Sequence, residues 1–176
     1  MNLNIRSRVI TIGIVIFFGL VGAFTANAQI AKQISSIRAE VNLINKNAPK
    51  NDNKTRNVEG ISLEGAEATY YLSGKGLKKI AAKIYGETFR STVELYYSGE
   101  EMIFAYQRIE RYDTQIAVTP PPKVVKIIET RTYFSGGKAI RVIEGKKTIA
   151  PATIEYRDTA AAMNELSDKL KAAFDQ

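Results

Sequence analysis

Three short segments of this chain share one pattern, an aromatic residue followed by one further residue and a Ser-Gly pair. They are Tyr71-Leu72-Ser73-Gly74, Tyr96-Tyr97-Ser98-Gly99 and Tyr133-Phe134-Ser135-Gly136. Glycine enters the positive-φ region freely, and tight hairpin turns demand it. Three residues past each glycine sits Leu77, Met102 or Ala139, and six past it sits Ile80, Ala105 or Val142. The flanking stretches are rich in Tyr, Val, Ile and Thr, which favour strands. Each unit therefore reads as strand, turn and returning strand. The pairings are 69–72 with 77–85, 89–97 with 102–111, and 124–134 with 138–144. The glycines are spaced by 25 and then 37 residues, too irregular for a solenoid. An antiparallel meander of about six strands over 61–144 is expected.

One segment has two periodicities. Leu77, Ile80, Ala81 and Ile84 fit a helical face. Ile80, Ala82 and Ile84 fit strand alternation, with Lys79 and Lys83 opposite. The repeat favours strand. On either side of the meander the period changes. Ile30, Ile34, Ile37, Val41 and Ile44 form one apolar helical stripe over 29–48, ended by Asn45 to Asn47 and Pro49. Met163, Leu166, Leu170, Ala173 and Phe174 form a second over 158–175, with Asp158 or Thr159 as cap. Residues 50–57 are wholly polar and read as a linker. The expected architecture is one α+β domain, 29–176, with both amphipathic helices packed on one face of the meander.

Residues 1–28 read as a signal peptide. Arg6 and Arg8 precede an apolar run, and Ala26 and Ala28 stand at the positions signal peptidase reads, with cleavage before Gln29. The apolar run is shorter than the ~20 residues of a membrane-spanning helix, so no permanent anchor is expected. The chain has no cysteine, hence neither a disulfide nor a lipidated amino-terminal thiol. Its absence from an exported chain leans toward a bacterial periplasm or extracellular space. Histidine is also absent, which removes the commonest general base and metal ligand. No cofactor or metal site is expected. The formal charge is +7, and loss of the two leader arginines would bring it to +5. That balance suits anionic surfaces or simple solubility. An RNA-binding aromatic signature is absent, so nucleic acid is not an expected partner.

The hairpin units between an export signal and a terminal helix resemble those of a group of small exported bacterial proteins of uncharacterised activity. In that group, Tyr-Tyr-Phe-x-x-Gly-Lys-Leu-Ile units recur across one sheet. Here Tyr96 to Gly99 and Tyr133-Phe134-Ser135-Gly136-Gly137-Lys138-Ala139-Ile140-Arg141 carry the likeness, over about half of the mature chain. The resemblance implies a sheet and brings no activity with it.

Three surfaces stand out as candidates. Neighbouring strand residues point to opposite faces, so one member of each aromatic pair should face outward. Tyr70, Tyr96 and Tyr133 are the candidates for a platform suited to sugars or peptides. Cross-strand pairing, at about 0.2–1 kcal/mol per pair, explains the same pattern by stability alone. Lys79 and Lys83 share a strand face and could meet an anion, or simply protect an edge. Residues 113–123 interrupt the repeat and end in Pro120-Pro121-Pro122, a stiff extended loop. The acids Glu94, Glu100, Glu101, Glu110, Asp113, Glu129 and Glu144 show no spacing that singles out a catalytic pair.

These features point to a non-enzymatic exported binding or interaction module, its partner a protein, glycan or small ligand of the cell envelope. One alternative is a periplasmic carrier of an apolar ligand held between sheet and helices. The other is a carboxylate- or tyrosine-based acid/base enzyme. A hollow core would favour the carrier; a polar cleft would favour the enzyme.

Overall fold

Each Ser-Gly unit closes a hairpin. The computed structural model describes residues 10–50, 52–74 and 76–174, with side chains from Asn27 onward. Gly74, Gly99 and Gly136 have φ values of 60, 59 and 57°. Gly136 is followed by Gly137 at 72°, so both central residues of that turn have the positive φ of a type I′ hairpin.

The strands are β1 (Asp52–Val58), β2 (Ala66–Ser73), β3 (Gly76–Gly86), β4 (Phe89–Ser98), β5 (Glu101–Tyr112), β6 (Val124–Ser135), β7 (Lys138–Glu144) and β8 (Lys147–Ile149). They form one sheet in strict chain order, and every neighbouring pair is antiparallel. The ambiguous segment is a strand, β3. The sheet has eight strands where about six were expected. The polar stretch read as a linker is β1, an edge strand with only Val58 buried. Such a strand is held by backbone pairing and needs no apolar alternation. At the other edge, β8 adds three residues and buries Ile149 beside Val142.

The repeat encodes more than a turn. In all three hairpins the register slips by one residue just before the turn, after Tyr71, Tyr96 and Tyr133. The returning strand therefore carries one unpaired residue: Lys78, Ile103 or Ile140. These are β-bulges, and they add local twist. Beyond each bulge the pleat is in phase across the sheet. Ile80, Leu95, Ala105, Thr132, Val142 and Ile149 form one continuous cross-strand row. All six are 2% exposed or less.

That row lies beneath α2 (Ile154–Phe174). The helix begins at Ile154, ahead of the Asp158 or Thr159 cap expected. Thr153 is the cap, its hydroxyl accepting from the Tyr156 N–H at 3.2 Å. α2 crosses the sheet from β7 to β2. Tyr156 OH donates to the Ala139 carbonyl (2.8 Å), Ser167 and Tyr97 share a hydroxyl bond (2.9 Å), and Tyr70 OH donates to the Leu170 carbonyl (2.8 Å). Met163, Leu166 and Leu170 fill the core from the helix side.

The amino-terminal helix α1 runs from Ile10 to Asn47, unbroken through Ala26, Ala28 and Gln29. Residues 39–176 form one compact unit, and residues 10–38 belong to another. In the part of α1 that belongs to the larger unit, the stripe residue Ile44 is buried, as the spacing predicts. The basic start at Arg6 and Arg8 lies outside the described residues. Among those residues no helix is long and apolar enough to cross a membrane. The last turn of α1 corrects one expectation. Asn45 bonds to Lys79 and Tyr96, whose side chains leave the sheet on the face opposite Ile80 and Tyr97. The end of α1 and α2 therefore meet opposite faces of the sheet, not one.

Candidate functional site

The strands β3, β4 and β5 have 11, 10 and 12 residues. At about 3.3 Å per residue they are more than 30 Å long, whereas a helix with its side chains is about 10–12 Å wide. One helix cannot cover such a face. α2 is anchored near the Ser-Gly turns, through Tyr70 and Tyr97, so the opposite half of the α2 face is covered only in part.

A cleft of about 350 Å³ lies there. Its floor is a cross-strand row, Ile84, Ser91 and Ile109, flanked by Phe89 and Gln107. Met163 and Leu166 of α2 form one wall, and Ile61 the other side. The floor is apolar except for a matched pair: Gln107 Nε2 donates to the Oγ of buried Ser91 at 3.3 Å. Charges stand around it. Glu165 and Lys169 pair at 2.8 Å, and that contact holds the Glu165 carboxyl below its ordinary value. Arg111 is exposed, and among the described residues no ion pair engages it. Gly86 helps shape the cleft. A Cβ there would collide with the Phe89 ring, so glycine leaves room for that ring against the strand.

The opposite face carries a different row: Tyr71, Lys79, Tyr96, Phe104, Tyr133 and Arg141, one from each of β2 to β7. Adjacent rings are tilted against each other, with centroids at 5.7 Å for Tyr96 and Phe104 and 4.9 Å for Phe104 and Tyr133. Strand alternation alone misplaces the expected tyrosines. Counted back from the glycines, the equivalent aromatics are Tyr71, Tyr96 and Tyr133. Tyr70 is one position out of phase and points into the α2 core. None of the three expected tyrosines offers a free ring: Tyr70, Tyr96 and Tyr133 are 0, 1 and 3% exposed. Both members of the Tyr96-Tyr97 and Tyr133-Phe134 pairs are buried, because this end of the sheet is covered on both faces.

Lys79 is likewise engaged inside the fold. Its Nζ lies 2.6 Å from Glu94 Oε1, 3.0 Å from Asn45 Oδ1 and 4.9 Å from the centre of the Tyr96 ring. Tyr96 OH reaches Glu94 Oε2 and Asn45 Oδ1 at 2.8 and 3.0 Å. This network closes on itself and fastens the end of α1 to β3 and β4. Lys83 is exposed and pairs loosely with Glu67 at 3.5 Å. Pro120 and Pro121 are exposed and Pro122 is half-buried. Their loop, with a cis Thr119–Pro120 peptide, is pinned by Asp113–Lys123 bonds and by the Ile116 N–H on the Glu87 carbonyl. The structure thus gathers Lys79 and Tyr96 into one internal cluster and leaves Lys83 and the prolines apart from it.

Two acids do approach each other. Glu110 and Glu129 both contact Arg108, and they accept from Tyr112 and Tyr106 at 3.1 and 3.0 Å. The Arg108 contact, followed by the Tyr112 hydrogen bond, holds the Glu110 carboxyl below its ordinary value. Burial pushes the hydroxyls of Tyr70, Tyr96, Tyr97, Tyr106, Tyr112 and Tyr156 upward. These shifts lead away from the neutral range in which a general base works. Among the described residues no cluster of acids has the arrangement of a metal site. The cleft residues escaped the sequence reading because their meeting depends on where α2 crosses the sheet. No protein-family model, curated protein or solved structure matches the chain.

Proposed function

We propose that this protein is an exported, non-catalytic binding protein that holds a small amphipathic molecule in the cleft between α2 and β3–β5. The observation that carries the reading is the cleft itself. Its 350 Å³ lies at the small end of the range of ligand pockets, about 300–1,000 Å³. Ile84, Phe89, Ile109, Met163 and Leu166 suit an apolar body. Arg111 at the rim suits an anionic head. The basic start, apolar run and Ala26/Ala28 pair support export, and the first residue of exported material should then be Gln29.

Octanoate, decanoate and an aryl carboxylate serve as probes in calorimetric titration. Binding should fall when Ile109→Trp fills the floor, and weaken without disappearing when Arg111→Gln removes the cation. If wild type binds none of the probes, or Ile109→Trp binds as well as wild type, the carrier reading is wrong.

A further inference from the structure

β6 is longer than its neighbour. It has 12 residues, and β7 has 7. β7 pairs with β6 only over Thr130 to Ser135. The first half of β6, Val124 to Glu129, is paired with β5 on one side, apart from Val125, which bulges out of the register, and among the described residues it has no strand on the other. The Glu129 carbonyl accepts the Gly145 N–H at 2.8 Å, so it points to the open side. Backbone groups alternate along a strand, which turns the Ile127 N–H and C=O to the same side. Among the described residues no hydrogen bond engages them.

The other two edges are protected. β1 is polar from Asp52 to Asn57, and β8 is three residues long. The β6 overhang is neither polar nor short. Val124, Val125 and Ile127 are 44, 63 and 52% exposed. An apolar, unpaired edge is a template for another extended chain.

Charge defines which chain. Lys123 precedes the overhang, Lys126 lies within it, and Lys146 stands in the β7–β8 turn at its end. All three are exposed, and among the described residues none is in an ion pair. The acid on this edge, Glu129, is held by Tyr106 and Arg108. Lys147 stands opposite Glu144 in register. The overhang thus joins apolar side chains, open backbone groups and three lysines outside any ion pair, with the Asp113 carboxylate taken up by the Lys123 N–H.

We propose that Val124 to Glu129 is a docking edge, to which an extended acidic segment of a partner protein adds as a further strand beyond the end of β7. Its side chains would alternate, apolar residues against Ile127 and carboxylates toward Lys123, Lys126 and Lys146. This site is separate from the cleft and does not depend on it.

The test uses a fluorescent Glu-Val-Glu-Val-Glu-Val peptide, its Lys-Val counterpart, and anisotropy titration of the full chain. The acidic peptide should bind, more weakly as salt rises, and the basic one should not. Ile127→Pro removes an outward N–H that serves no bond in the sheet. It should weaken binding about tenfold while a thermal melt stays close to wild type. Should Ile127→Pro unfold the protein, the Lys123→Glu and Lys126→Glu pair tests the same edge without touching its backbone. Equal binding of both peptides, or undiminished binding by these variants, overturns the proposal. So does a concentration-dependent dimer that Ile127→Pro abolishes, since the occupant would then be a second copy of this chain.

Discussion

Most core substitutions destabilise, but Thr132→Val should do the opposite. Thr132 is 1% exposed, and among the described residues its Oγ1 is the buried side-chain polar atom without a hydrogen-bond partner. It sits in the row beneath α2, between Ala105 and Val142, each 1% exposed. A hydroxyl buried without a partner costs about 1–3 kcal/mol. Valine keeps the branched shape that suits a strand and replaces the hydroxyl with a methyl that belongs among these neighbours. Thr132→Val should therefore raise stability by about 1–3 kcal/mol in urea melts. At about 2–4 °C per kcal/mol for a chain of this size, the thermal midpoint should rise by several degrees. Thr132→Ser is the control. It keeps the hydroxyl, deletes the methyl and should lose about 0.8 kcal/mol or more. A Thr132→Val midpoint at or below wild type would refute the reasoning and mean that the hydroxyl is satisfied.

Three further outcomes follow from other parts of the fold. Gly99→Val should cost about 1–3 kcal/mol of strain, because φ is 59° there, while Gly76→Val, outside the positive-φ region, should cost less; urea midpoints compare the two. Lys79→Met should destabilise by about 1–3 kcal/mol, since it removes the cation from Glu94 and leaves the single Tyr96 hydroxyl proton to serve both Asn45 and Glu94, and Glu94→Gln in the Lys79→Met background should restore part of the loss. The folded carboxyl of Glu110 titrates below its ordinary value, so its Arg108 contact stabilises fully above the unfolded pKa of about 4.3 and is lost as pH falls through the folded value. Glu110→Gln should thus be less stable than wild type at neutral pH, and the two should converge in acid, as melts at a series of pH values will show.

The turns were legible because a hairpin of two central residues admits few side chains, and glycine marks the place. Strand β3 followed from the turn, although its apolar pattern also fitted a helix. β1 was not legible. Every residue from Asp52 to Asn57 is polar, and the strand exists because β2 offers it a backbone ladder. The aromatic platform failed by one position. The count back from each glycine already pairs Tyr71, not Tyr70, with Tyr96 and Tyr133, and the pleat agrees. What the count does not record is that the face these three share is covered at Tyr96 and Tyr133, so their rings are no platform. Lys79 was visible as a basic residue on a strand, but the end of α1 that engages it lies 34 residues away at Asn45. The cleft depends on the crossing of α2, and nothing local in β3 or β5 records that crossing.

The order of the strands has a consequence for how the chain comes together. Every strand pairs only with its neighbours in the chain, so the sheet can zip from short loop closures, whose entropic cost grows slowly with length. α2 is different: its bond from Tyr70 to Leu170 spans 100 residues, and its anchors lie on β2, β4 and β7. It can dock only on a sheet that already exists. During synthesis all eight strands leave the ribosome before α2 does, and in that interval Ile80, Leu95 and Val142 have no cover. The nascent chain therefore passes through a stage at which its own apolar face must be shielded from other chains, the stage at which a chaperone would act.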